Sequence, residues 1–214
     1  VYNKVEKTKE SVAAVDATCG QVLTWNGKVV EAYYFSTSAG VTSTDEIWGS
    51  DEAAPYLRSV PCKFDEEEPW SSWIVELPWK MLEDRIREKG EGTVLRSVTV
   101  TRRSESGAAT ALEAVSDKDS CIIENEYEIR KFLAPVNCMI TEKDGTETAG
   151  GSLLPSAYFE LERTQNGNLQ VRGKGYGHGV GMSQTGADKM AEQGYDYREI
   201  LDYFFRNIKK IYHG

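Results

Sequence analysis

The stretch Gly173-Lys174-Gly175-Tyr176-Gly177-His178-Gly179-Val180-Gly181-Met182-Ser183-Gln184 places glycine at every second residue from 173 to 181. Read as an extended strand, it has one bare face and carries Lys174, Tyr176, His178 and Val180 on the other. Glycine surrenders backbone entropy and packs nothing, so five in alternation require that another backbone or a ligand come very close. One imidazole, His178, sits in the middle of this ribbon and is one of two histidines in the chain.

Downstream of the ribbon, Ser183 to Gln193 reads as a helix stopped by Gly194. Asp196-Tyr197-Arg198-Glu199 matches a capping box for a second helix with Ile200, Leu201, Phe204 and Phe205 on its apolar face. Upstream, Tyr158 to Arg163 and Leu169 to Arg172 look extended, as does Met139 to Thr141, and Glu126 to Leu133 reads as a short helix before Pro135. Val94 to Arg103 and Ala111 to Val115 are strands joined through Ser104-Glu105-Ser106-Gly107. Trp73 to Glu76 is a strand, and Pro78 opens a helix running to about Glu88 and closed by Gly90. Nearer the start, Thr8 to Thr18 suits a short amphipathic helix ended by Gly20. Gln21 to Trp25 and Lys28 to Phe35 form a hairpin across Asn26-Gly27. The second strand of that hairpin enters a hydroxyl-rich turn, Ser36-Thr37-Ser38-Ala39-Gly40-Val41-Thr42-Ser43-Thr44. Strands broken by short helices, without regular β-α alternation, predict one α+β domain over residues 1–214 with a mainly antiparallel sheet or barrel-like core.

The bulk composition narrows the function classes. A chain of 214 residues with 40% hydrophobic residues can bury a core. Its net charge of -9 and the lack of a dense Lys/Arg run argue against nucleic acid or an anionic membrane as the main partner. A neutral or polar ligand such as a glycan is compatible with that balance. No apolar run reaches the roughly 18 residues of a membrane span, and no signal peptide is visible. Val1 stands where a start Met would, which reads as a processed or excised chain. Cys19, Cys62, Cys121 and Cys138 are far apart and form no C-x-x-C pair, so no metal site is expected. They are either buried free thiols or form one or two disulfides, with three full pairings open.

Several residues are candidates for chemistry. His178, flanked by glycines, is open to close approach and titrates near neutral pH, or else it fixes the ribbon by bonding backbone. Ser183 and Gln184 stand where free helix N–H groups meet an oxygen-rich ligand, although Ser183 also suits a plain N-cap. Ser36, Thr37, Ser38 and Thr42 suit ligand hydrogen bonding better than a serine nucleophile, because Ser-Thr-Ser-Ala-Gly is not a G-x-S-x-G elbow. Trp48 and Tyr56 offer faces for sugar rings or fill the core. The acidic run Asp65-Glu66-Glu67-Glu68 reads as a solvated turn with no chemistry. A glycosidase needs a carboxylic acid of raised pKa, and no motif singles one out, Glu46 beside Trp48 included.

Together these pieces resemble the SpoIID/LytB family of bacterial sporulation and cell-wall proteins. Gly175 to Gln184, with Gly186-Ala187, Met190-Ala191 and Gly194, resembles the family's C-terminal signature. Phe35-Ser36-Thr37-Ser38-Ala39-Gly40, within Tyr33 to Thr42, resembles its hydroxyl loop. Trp48-Gly49, Pro55 to Val60 and Leu154 to Phe159 follow in family order. The resemblance implies a lytic transglycosylase that cuts the β-1,4 bond between N-acetylmuramic acid and N-acetylglucosamine and leaves a 1,6-anhydro end. It implies peptidoglycan strands as ligand, no cofactor, and partnership with a SpoIIP-like amidase and a SpoIIM-like membrane protein during engulfment. It also implies an extracytoplasmic place, in the cell wall or between forespore and mother-cell membranes, with a membrane anchor in the full-length protein. The LytB branch instead implies a wall-binding module that enhances an autolytic amidase. The family's acid lies in a segment resembling E-M-P followed by A-L-K-A-Q-A-V-A-A-R-T. Nothing similar occurs here, and Val1-Tyr2 aligns just downstream of it. The expectation is therefore a cleft wall without its acid, lined by Ser36, Thr37, Ser38, Thr42, Trp48, Tyr176, Ser183 and Gln184, with His178 in a supporting role.

Overall fold

The computed structural model describes residues 7–50 and 52–212, so the alignment of Val1-Tyr2 lies outside the described residues. The first helix, α1 (Lys9–Ala17), is capped by Thr8, whose side chain accepts from Ser11 N while Ser11 returns a bond to the Thr8 backbone. It forms where expected but buries none of its residues: Val12 and Val15 are 42% and 67% exposed. Next come β1 (Gln21–Trp25) and β2 (Lys28–Val29), joined through Asn26 and Gly27, both at positive φ. Two residues at positive φ suit the twist of a tight hairpin. The expected long second strand stops at Val29. Its distal end is a separate piece, β3 (Tyr34–Phe35), recruited by a different partner described below.

The middle of the chain builds the larger core. It comprises β4 (Trp73–Leu77), α2 (Trp79–Glu88), β5 (Leu95–Arg103), β6 (Ala109–Ser116), β7 (Ser120–Glu124) and α3 (Glu126–Phe132). Then follow β8 (Met139–Glu142), β9 (Glu147–Ala149), β10 (Phe159–Arg163) and β11 (Leu169–Gly173). Five of these strands pair antiparallel in the order β10-β11-β4-β8-β9, and β5-β6-β7 form a second antiparallel sheet. Along β4, Trp73, Val75 and Leu77 are buried while Ile74 and Glu76 face out, the period-two pattern of a half-buried strand. Helices α2 and α3 add Leu82, Ile86, Ile129 and Phe132 to that core. At roughly 1.5–3 kcal/mol for each large side chain taken out of water, this cluster dominates the stability of the region.

The ends of the chain make a second core. They contribute β12 (Met182–Ser183), α4 (Gln184–Glu192), α5 (Tyr197–Phe204) and β13 (Lys209–Tyr212). Strand β13 pairs antiparallel with β1, and β12 pairs parallel with β3, Met182 opposite Tyr34 and Ser183 opposite Phe35. That parallel pairing with the end of the ribbon takes residues 34–35 away from the hairpin. Ile47, Leu57, Val60, Val180, Met190, Phe204 and Phe205 pack this second core. Asp196 caps α5 through Glu199 as its sequence requires. The fold is α+β and mainly antiparallel, and its described strands form open sheets and close no barrel. The four cysteines are free thiols. Among the described residues no helix is long and apolar enough to cross a membrane.

The two cores meet at the glycine ribbon. Tyr158 belongs to one core and its neighbour Phe159 to the other, as alternation along an extended segment demands. Trp73, deep in the larger core, donates its indole N–H to Gly175 O at 2.9 Å. A side chain at Gly173 would lie about 2.0 Å from that indole ring.

Candidate functional site

The ribbon is not the extended strand its alternation suggests. Gly175, Gly177, Gly179 and Gly181 all have positive φ, between 74° and 112°, so the backbone reverses hand at every second residue. Regular pairing gives way to isolated bridges, Thr37 with Tyr176 and Ser43 with Val180. What comes close is backbone at Gly175 and Gly181, and the side chains of Trp73, Phe35 and Tyr158 at Gly173, Gly177 and Gly179. A Cβ on Gly181 would stand 2.2 Å from Tyr33 O, and one on Gly175 2.8 Å from Thr37 O. Any other residue there meets both the left-handed penalty and a collision.

The hydroxyl loop is laced to this ribbon. Thr37 and Tyr176 exchange backbone bonds of 3.1 and 2.8 Å, Ser43 N donates to Gly179 O at 2.6 Å, and Met182 N donates to Tyr33 O at 3.0 Å. Thr185 N, at the start of α4, donates to Ser36 O at 3.0 Å.

Beneath the loop lies a residue that the sequence reading set aside. Asp65 is fully buried, in contrast to Glu66 and Glu67, which face solvent as a turn should. Its carboxylate accepts from Ser38 N at 2.8 Å, Ser38 Oγ at 2.7 Å and Ser183 Oγ at 2.6 Å. The acidic run therefore contains one clamp and a solvated remainder. Within a run of four acids nothing marks the first, and the only available signal was that buried hydroxyls need an acceptor. Burial, together with the Asp65 carboxylate, pushes the neighbouring Cys62 thiol up to about 12, which leaves it inert.

That clamp determines which expected ligand groups face outward. Ser38, Thr42 and Ser183 are buried and engaged: Thr42 Oγ1 accepts from Val60 N at 3.0 Å, and Ser183 Oγ also caps α4 by accepting from Gly186 N at 3.2 Å. Thr37 is buried too, with its hydroxyl 3.0 Å from that of Thr185. These four hold the wall in shape. Ser36 is half-buried, whereas Gln184 and Tyr176 are exposed. Tyr176 packs edge-on against Trp70, with ring centroids 4.6 Å apart, and remains 42% exposed.

His178 is built into the wall in the same way. Its Nδ1 accepts from Val180 N at 3.1 Å. The rings of Trp48, Phe35 and Tyr33 surround it at 5.2, 5.8 and 6.5 Å. Burial lowers its pKa below the ordinary imidazole value, with Glu126 opposing that shift. An Nδ1 that accepts a hydrogen bond carries no proton, so this is a neutral imidazole. No loop hydroxyl bonds it, so the described residues contain no serine–histidine pair.

Behind His178, Glu126 and Arg130 form a buried ion pair at 2.5 Å, which the sequence reading missed. Arg130 also donates to Leu154 O at 2.8 Å and to Pro155 O at 3.1 Å, and Pro155 O accepts from Gly177 N at 2.8 Å. The pair thus reaches the ribbon through one shared carbonyl. Their i,i+4 spacing was visible but reads equally well as a surface pair.

Next to Trp48 runs a groove of about 570 Å³, lined among others by Glu46, Arg102, Thr110, Glu124 and Asn125. Glu46 is exposed and accepts from the Thr44 hydroxyl at 2.7 Å. Among the described residues no three His, Cys, Asp or Glu side chains gather as a metal-ligand set.

Known proteins are similar to this chain along most of its length. The family described as "Domain of unknown function (DUF8618)" matches residues 56–181, from Tyr56 into the ribbon. Stage II sporulation protein D of Bacillus amyloliquefaciens is 30% identical over 203 residues, 95% of this chain and 51% of the relative. The protein of the same name from Bacillus subtilis strain 168 is 30% identical over 204 residues, again 95% and 51%. The amidase enhancer of Bacillus subtilis strain 168 is 23% identical over 238 residues, 96% of this chain and 33% of that protein. The chain spans about half the length of the two sporulation relatives. The chain therefore belongs to the family described as DUF8618, and its relatives along 95% or more of its length, stage II sporulation protein D and the amidase enhancer, bear out its SpoIID/LytB membership.

Proposed function

We propose that this chain forms a glycan-binding wall of a sporulation lytic transglycosylase that cleaves peptidoglycan strands between N-acetylmuramic acid and N-acetylglucosamine. The observation that carries the reading is the exposed Tyr176 ring, braced against Trp70 on a backbone rigidly laced to residues 33–43. A sugar ring stacks on such a face while Ser36 and Gln184 offer hydrogen bonds beside it. The acid that protonates the glycosidic oxygen is the family's glutamate, outside these 214 residues. The same carboxylate then helps the muramyl 6-hydroxyl attack C1, which closes the 1,6-anhydro ring without water. His178 supports the wall, its Nδ1 tied to the Val180 backbone and its pKa lowered by burial.

The test is to incubate peptide-free glycan strands with this chain and with the longer protein carrying that glutamate. The reading expects both to bind and only the longer one to release anhydro-muramyl products. It fails if neither binds. A second reading, a wall-binding module that enhances an amidase, is favoured by the amidase enhancer's match over 96% of this chain. It expects stimulation of an added cell-wall amidase and no anhydro products from either protein.

A further inference from the structure

Beside the ribbon lies a depression of about 240 Å³ whose charge runs against that of the whole chain. Arg103, Arg172 and Lys174 line it with a single acid, Glu160, although the chain carries a net -9. Arg103 is fixed: it donates to Gly107 O at 3.0 Å, to Phe159 O at 2.8 Å and to Glu160 at 3.0 Å. Arg172 has only a loose partner, Glu162 at 3.9 Å, and its side chain is 55% exposed. The backbone of Lys174 is held at both ends, its N–H donating to Tyr158 O at 2.8 Å and its carbonyl accepting from Ser156 Oγ at 2.6 Å. Its exposed ammonium has no ion pair among the described residues. With the backbone already fixed, meeting an anion here orders only the lysine side chain.

The depression is the middle of three. Arg103 also lines the groove beside Trp48. Ala39 and Lys174 also line a third depression, with Lys143, Ser71 and Ser72. Shared walls in series suit a linear ligand, and Lys174 is two residues from the Tyr176 platform. We propose that Lys174 and Arg172 form a cationic subsite for a carboxylate carried on a sugar of a linear glycan, a proposal that rests on the glycan-wall reading above. Sparse carboxylates suit the site better than a dense phosphate backbone, because a net -9 repels a polyanion whose charges fall beyond the cation cluster. Within a Debye length of about 8 Å the local cations dominate.

The experiment measures binding of this chain to three probes: peptide-free muramyl glycan strands, the same strands with carboxylates converted to methylamides, and poly(glycerol phosphate). The expected result is about tenfold weaker binding of the amidated strands, with salt weakening only the charged ones. Lys174→Gln and Arg172→Gln should each lower affinity several-fold for charged strands and leave amidated strands unaffected. Unchanged melting temperatures would confirm that these exposed variants fold. Equal affinity for charged and amidated strands overturns the subsite and leaves the glycan wall standing. Unaltered charge preference in both variants, or tighter binding of poly(glycerol phosphate) than of the strands, also overturns it. Binding of no probe overturns both the subsite and the wall.

Discussion

Ser183 Oγ donates to Asp65 Oδ2 at 2.6 Å across 118 residues of chain, and the same carboxylate takes two bonds from Ser38. One buried acid thus joins the hydroxyl loop to the end of the glycine ribbon. Replacing Asp65 by Ala strands the Ser38 N–H in the interior at about 1–3 kcal/mol, and the Ser38 and Ser183 hydroxyls lose their bonds to a carboxylate and keep only backbone carbonyls at 3.2 Å. Asp65→Ala should therefore lose roughly 3 kcal/mol or more, read as a fall in urea midpoint. Ser183→Ala, which removes one of those bonds and the α4 cap, should lose about 1–2 kcal/mol. A neutral Asp65→Ala would show that the clamp is incidental.

Two glycines at positive φ separate strain from collision. Gly194 has open space where a Cβ would go, whereas at Gly181 that atom would meet Tyr33 O. Gly194→Ala should cost about 1–2 kcal/mol, the left-handed penalty alone. Gly181→Ala should cost several kcal/mol, since backbone must move as well. Thermal denaturation of the two variants side by side checks the ranking, and equal costs would contradict the close approach.

His178 makes stability depend on pH in a definite direction. Its folded pKa lies below the ordinary imidazole value of 6.5, so as pH falls through 6.5 the unfolded chain takes up a proton that the folded chain refuses. Stability from this group is fully present above 6.5 and declines below it until the folded pKa is reached. His178→Asn, which keeps an acceptor for Val180 N–H, should flatten the stability profile just below pH 6.5. An unchanged slope in the variant would mean that the imidazole is not held neutral.

Glu126 and Arg130 should behave as a unit. Arg130→Met leaves a buried carboxylate unpaired and should cost about 3–5 kcal/mol, while adding Glu126→Gln should recover much of the loss. A double-mutant cycle by chemical denaturation reads the coupling, and simple additivity would refute it.

The helices and most strands were legible because their signals are local. Asp196 with Glu199, Pro78 with Gly90, and Asn26-Gly27 each specify an end or a turn through bonds made within a few residues. The end of the first hairpin was not, because residues 34–35 pair with residues 182–183, and no local pattern encodes a partner so distant. The ribbon's alternation correctly signalled close approach but implied the wrong backbone, since glycine spacing does not distinguish an extended strand from repeated left-handed turns. Of the expected site, Tyr176 and Gln184 face outward and Ser36 is half-buried, while Ser38, Thr42 and Ser183 turn inward to hydrogen-bond partners that only the tertiary structure supplies.

The proposed function requires a glycan strand to lie against the outward side of the ribbon and its hydroxyl loop. Titrating isotopically labelled chain with peptide-free strands, and following backbone amide shifts, tests this directly. Saturable shifts centred on Ser36, Tyr176 and Gln184 are expected, with affinity reduced about tenfold by Tyr176→Ala. Saturable shifts elsewhere, with these residues unmoved, would contradict it.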